Sequence, residues 1–132
     1  MDAVTIYHKP TCSTCRQVVQ LVKASGHPFT TVNYYEQPFT KAQLKRLLKK
    51  AGLAPHAILR TTEALYRNLG LGIKTLSDDA WLDVLIAHPD LIQRPIVAKG
   101  AQVLLARPAE SVKALLSSRV TAYPARDRPT PS

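Results

Sequence analysis

The sequence predicts an α/β fold on a four-stranded mixed sheet, and three observations predict it. A β-branched segment, an amphipathic helix and a second β-branched segment follow one another between Val4 and Tyr34. Helical patterns then fill the chain from about Thr40 to Pro89. Two short apolar runs, Ile96-Val97-Ala98 and Val103-Leu104-Leu105, close the chain ahead of one more helix. The predicted order is a βαβ unit, a helical insertion, then ββα.

The first strand is Val4 to His8, where Thr5, Ile6 and Tyr7 are β-branched or aromatic and suit a pleated, buried surface. The next helix carries Cys15, Val18, Val19 and Val22 on one stripe at helical spacing. Ser25-Gly26-His27-Pro28 ends it, with Gly26 in the left-handed cap position. Phe29 to Tyr34 reads as the second strand, parallel to the first because a helix crosses between them. Thr40 with Gln43 makes a capping box for a helix whose inner face is Leu44, Leu47, Leu48 and Ala51, stopped by Gly52. Shorter helices are expected at Pro55–Leu59 and Thr62–Leu69. Ser77 caps another, with Trp81, Leu82, Leu85 and Ile86 inward, ending before Pro89. The Lys99-Gly100 turn joins the last two strands as a hairpin. Pro108 opens the final helix at a favoured first-turn position, with Val112, Leu115 and Leu116 inward.

A chain of 132 residues fits one domain. It is expected over residues 1–120 with the insertion at about 40–90. Residues 121–132, with Pro124, Arg126, Arg128, Pro129 and Pro131, read as a disordered tail. No apolar run is long enough to span a bilayer, and Met1-Asp2-Ala3 runs straight into a strand without a secretory signal. A cytoplasmic, monomeric protein is the expectation. In that reducing compartment two thiols are chemical rather than structural. The net charge of +9 points to an anionic ligand or partner. Part of it is a ladder, Lys41, Lys45 and Lys49, with Arg46 and Lys50 beside it, which reads as a solvated helix face. No aromatic residues interleave with the ladder, so nucleic acid is disfavoured as a partner.

The only two cysteines form Cys12-Ser13-Thr14-Cys15, directly after the first strand and at the mouth of a helix. That context reads as a redox or nucleophilic thiol site of thioredoxin type. Unpaired N–H groups and the positive end of the helix dipole lower a thiol's pKa there and hold an anion. Cys15 sits one turn on, near enough to close a disulfide with Cys12. His27, His56 and His88 are scattered and do not reproduce zinc-ligand spacing, so no metal is expected.

Four separated motifs fall in order: Tyr7-His8-x-Pro10-x-Cys12, Leu59-Arg60, His88-Pro89-x-Leu91-Ile92-x-Arg94-Pro95-Ile96-Val97 and Arg107-Pro108. Together they resemble the glutaredoxin-like arsenate reductases of the ArsC/Spx superfamily, over roughly Val4 to Leu116. The resemblance implies a thioredoxin-like fold. It implies Cys12 as the nucleophile that attacks arsenate, with Arg60, Arg94 and Arg107 binding the oxyanion. It implies that Pro95 is a cis-proline facing the site and that His8 helps set the thiol's electrostatics. It also implies no bound cofactor, but a thiol reductant, thioredoxin or glutathione with glutaredoxin.

Elementary chemistry agrees with that picture. Arg presents planar paired donors that suit a tetrahedral oxyanion better than the point charge of Lys. A thiolate attacking an anion needs nearby cations to offset like-charge repulsion. The bland readings are ion pairs, Arg60 with Glu63 and Arg107 with Glu110, a packed Cys15 and a solvated His8. Many relatives of this type carry Ser where this chain has Cys15. Cys15 is therefore expected to attack the Cys12 sulfur, release arsenite and leave an internal disulfide. The same cysteine pair also resembles the switch of the Spx regulators, which act on RNA polymerase, so a redox-switch regulator is the alternative. A general disulfide oxidoreductase ranks third, because three cations suit a neutral disulfide substrate poorly.

Overall fold

The computed structural model describes residues 3–117. The expected tail at 121–132 lies outside the described residues. Strands β1 (Val4–His8), β2 (Phe29–Asn33), β3 (Ile96–Lys99) and β4 (Gln102–Leu105) form one sheet in the order β2-β1-β3-β4. Helices are α1 (Ser13–Ser25), α2 (Lys41–Ala51), α3 (Ala64–Asn68), α4 (Asp78–Ala87) and α5 (Val112–Ser117). β1 pairs parallel with β2 and antiparallel with β3, and β3 pairs antiparallel with β4, so the sheet is mixed.

Alternation along the strands sends side chains to two cores. Val4, Ile6 and Val97 join Val18 and Val22 of α1 and Val112 and Leu115 of α5 on one face. Tyr7, Ile96 and Val103 pack on the other face with Leu44, Leu47 and Leu48 of α2 and Trp81, Leu82 and Leu85 of α4. Helices thus cover both sides of the sheet. Local chemistry accounts for the helix limits. Thr40 Oγ1 accepts from the Gln43 N–H at 3.0 Å, and Ser77 Oγ from the Ala80 N–H at 3.2 Å. Gly26 ends α1 at φ 81°, a left-handed conformation that favours glycine.

Several expected boundaries move. β2 stops at Asn33 rather than Tyr34, because Asn33 Oδ1 accepts the Tyr35 N–H at 3.0 Å and the chain turns. Pro55–Ile58 is a 3-10 turn, and the helix expected at Thr62–Leu69 shortens to α3. Pro108 does not open an α-helix directly. A 3-10 turn at Ala109–Ser111 comes first, and the Arg107–Pro108 bond is cis. Val19, Ile86 and Leu116 are only partly buried at the rims of the cores. In the lysine ladder, Lys41 is not simply solvated. It pairs with Asp79 at 2.8 Å and Asp83 at 2.9 Å, linking α2 to α4.

The register decides what meets at the end of the sheet. His8 lies opposite Asn33, Tyr7 opposite Ile96, and Ile96 opposite Leu105. The end of β1, the end of β2, the start of β3 and the end of β4 therefore share one edge. Segments 9–12, 34–35, 94–95 and 106–107 leave the sheet there. A bridge between Leu59 and Ile92, with the Arg60 N–H donating to the Leu91 carbonyl at 2.8 Å, brings Arg60 to the same edge.

Candidate active site

Cys12 is the N-cap of α1 in extended conformation (φ −81°, ψ 127°). Its N–H donates to the Lys9 carbonyl at 2.9 Å, and its own carbonyl accepts from Arg16 at 3.0 Å. This closes the turn from β1 into α1. Cys12 is half-buried and Cys15 is fully buried, and both are free thiols.

Burial pushes the Cys12 thiol up. The Cys15 backbone N–H, the Cys15 side chain and the Arg94 guanidinium pull it down further, and the net is a pKa of about 7. Cys15 behaves oppositely. Burial and the neighbouring Cys12 push it up to about 12, against a smaller opposing pull from the Lys9 backbone N–H. Cys12 is thus the thiolate near neutrality while Cys15 keeps its proton.

Arg94 is 6% exposed, a rare depth for a charged side chain. Its Nη1 donates at 3.4 Å to both the Tyr35 hydroxyl and the Ile92 carbonyl. Its buried Nε has no hydrogen-bond partner among the described residues. A buried guanidinium is costly unless charge and hydrogen bonds compensate it, and the hydrogen bonds of Arg94 leave Nε without a partner among the described residues. The Arg94–Pro95 peptide is cis and Pro95 is buried.

The other sequence candidates sit around this pair. Arg107 is exposed, and its Nη1 donates to the Arg94 carbonyl at 2.9 Å. Arg60 Nη1 pairs with Glu63 at 3.1 Å, and its charge also acts on the Tyr35 phenol. His8 has a buried Nδ1 without a hydrogen-bond partner among the described residues. Burial lowers its pKa below the ordinary imidazole value, so His8 is neutral at pH 7 and adds no charge to the thiol. The described residues hold no group of three or more His, Cys, Asp or Glu side chains able to bind a metal. No helix among them is long and apolar enough to cross a membrane.

The model of the ArsC family matches residues 7–115, which include Cys12, Arg60, Arg94, Arg107 and most of the fold. This chain belongs to the ArsC family. Among ArsC relatives, it is 37% identical over 116 residues to "Arsenate reductase" of Escherichia coli K12, covering 88% of this chain and 82% of that protein. It is 40% identical over 115 residues to "Arsenate reductase ArsI1" of Synechocystis, covering 87% and 80%. The solved structure of the arsenate reductase from Vibrio cholerae superposes with a TM-score of 0.80 at 39% identity, covering 85% of this chain and 96% of that one. The fold is therefore the thioredoxin-like fold of ArsC proteins.

In this ArsC-family chain, three site-edge residues escape the motif reading. Tyr35 donates its phenol proton to Asp90 Oδ1. Lys9 Nζ lies 5.0 Å from the Tyr35 ring centroid and 3.9 Å from Asp90 Oδ1. Burial and the Asp90 carboxylate push the Tyr35 phenol up to about 12, so it stays protonated. A sequence signal existed only for Lys9, which directly precedes the Pro10 of the cysteine loop. Nothing local marks Tyr35 or Asp90.

Proposed function

We propose that this chain is an arsenate reductase in which Cys12 is the nucleophile, Arg94 with Arg60 and Arg107 holds the oxyanion, and Cys15 is the resolving thiol. One observation carries the reading. A buried guanidinium with an unpaired Nε acts on a thiol already lowered to about 7 at a helix N-terminus. Cation and helix end offset the repulsion between a thiolate and an oxyanion. The arsenate reductase names of the relatives support the same substrate. Nothing in those comparisons supports the Spx-like regulator.

The steps balance. The Cys12 thiolate attacks arsenic, an As–O bond breaks, and the departing oxygen leaves protonated as water. Cys15 then gives up its proton and its sulfur attacks the Cys12 sulfur. An S–S bond forms, the S–As bond breaks, and the electron pair stays on arsenic, reducing As(V) to arsenite. An external thiol pair, thioredoxin or glutathione with glutaredoxin, returns two protons and two electrons to the disulfide. Pro95 is buried at the site as part of its wall. His8, neutral, contributes through its dipole. The chain works in the cytoplasm, where such reductants keep thiols reduced.

The test is an arsenate-dependent turnover assay run separately with thioredoxin and with glutathione plus glutaredoxin. Turnover is expected with at least one donor. Absence of arsenate-dependent turnover with both overturns the assignment.

A further inference from the structure

We propose that Tyr35 is a positioning residue whose phenol, oriented by Asp90, aims the Arg94 guanidinium at Cys12. The inference rests on the reading of Arg94 as the cation that serves Cys12 and the oxyanion. Three segments that are distant in sequence meet at this ring. Lys9 comes from the loop after β1, Tyr35 from the turn after β2, and Asp90, Ile92 and Arg94 from the stretch before β3. Arg94 Nη1 donates to the Tyr35 oxygen at 3.4 Å, and Tyr35 donates its own proton to Asp90 Oδ1. A phenol has one proton. With that proton committed to Asp90, the oxygen's lone pairs are left to face Arg94.

The guanidinium is planar, so holding it at Nη1 sets the direction of its remaining N–H groups. Nε is buried without a partner among the described residues, so no contact there holds the plane. The Ile92 carbonyl, the other Nη1 acceptor at 3.4 Å, is only two residues from Arg94. It moves with the segment that carries the arginine. Tyr35 is an anchor from a different segment, the turn after β2, where the neighbouring Tyr34 also acts on the guanidinium. Lys9 ties this anchor to the thiols: its Nζ sits over the Tyr35 ring and near Asp90, while its carbonyl accepts the Cys12 N–H and its N–H meets the Cys15 thiol. The groups facing Cys12 and Tyr35 are thus Lys9, Cys15, Tyr34, Arg60, Asp90 and Arg94, and the phenol stays protonated among them.

Tyr35→Phe keeps the ring, its contact with Tyr34 at 5.1 Å between centroids and its face toward Lys9, and removes only the hydroxyl. Asp90→Ala frees the phenol proton, whereas Asp90→Asn keeps an acceptor oxygen. The experiment measures, for each variant, the pH dependence of Cys12 alkylation and the arsenate KM and kcat. Tyr35→Phe is expected to raise the thiol pKa by about half a unit and the arsenate KM about tenfold, with kcat less affected. Asp90→Ala should shift both readouts the same way, Asp90→Asn should recover most of that loss, and the double variant should be no worse than Tyr35→Phe. A Tyr35→Phe protein with the parent's thiol pKa and KM overturns the proposal. So does a double variant whose losses add, because Tyr35 and Asp90 would then act separately. Alkylation needs no arsenate. A parent that fails to reduce arsenate therefore defeats the enzyme reading alone, and the thiol titration still decides the role of Tyr35.

Discussion

Arg107 Nη1 donates to the backbone carbonyl of Arg94 at 2.9 Å, so one arginine braces the peptide that carries another. Arg94 is buried and acts on Cys12, whereas Arg107 is exposed at the end of β4. Both follow from β3 pairing with β4 in a register that sets Ile96 opposite Leu105.

Arg107→Ala removes both the brace and a cation. The exposed position keeps the loss modest, about 1 kcal/mol or fivefold in arsenate kcat/KM. Arg107→Lys should rescue only part of it, since a single ammonium replaces the planar fork. Steady-state kinetics on the two variants check this, and equal kcat/KM for parent and Arg107→Ala would contradict it.

The Cys12 thiol at about 7 sits below its ordinary value, so the thiolate fraction grows as pH rises through 7 and saturates above it. Alkylation rate should follow that curve. Cys15, pushed up to about 12, should stay silent over the same range. Cys12→Ser should remove the step near pH 7 and abolish arsenate reduction while circular dichroism remains that of the parent, because an oxygen nucleophile cannot carry the thiolate's redox role.

Cys15 lies one helical turn from Cys12 and the two thiols shift each other's pKa, and an intramolecular thiol has a far higher effective concentration than a free one. After one arsenate turnover without reductant, mass spectrometry should show the loss of two hydrogens and a Cys12–Cys15 bridge. Cys15→Ser should stop thioredoxin-linked turnover and retain glutathione-linked turnover. A Ser variant that cycles with thioredoxin as well as the parent would reduce Cys15 to a packing residue.

Leu85 of α4 is fully buried in the core on the α2 side of the sheet. Leu85→Ala should lower unfolding free energy by about 2–5 kcal/mol, measured by denaturant titration.

Much of the fold was legible because its signals are local. The Thr40–Gln43 and Ser77–Ala80 caps, the left-handed Gly26 and the valine stripe of α1 each act within a turn or two of chain. The Cys-x-x-Cys after β1 located the thiols for the same reason. What misled was also local. Pro108 suits a helix start, yet its 3-10 turn and cis bond arise where β4 leaves the sheet beside Arg94. Tyr34 is aromatic and suits a strand, but the Asn33 side chain turns the chain first.

The sequence by itself determined the order of elements, the thiol pair and three candidate arginines, because periodicity, capping and motif spacing lie within short stretches. Only the tertiary structure separated these three arginines by burial and by partner. Arg60, Arg94 and Arg107 are chemically alike in sequence, but burial separates them. Arg94 is nearly sealed and acts on Cys12, Arg60 pairs with Glu63, and Arg107 reaches a backbone carbonyl. The strand order β2-β1-β3-β4 then brings Lys9, Tyr35 and Asp90 to one edge. That convergence is a property of strand pairing, in which residues far apart in the chain are neighbours only once the sheet has formed.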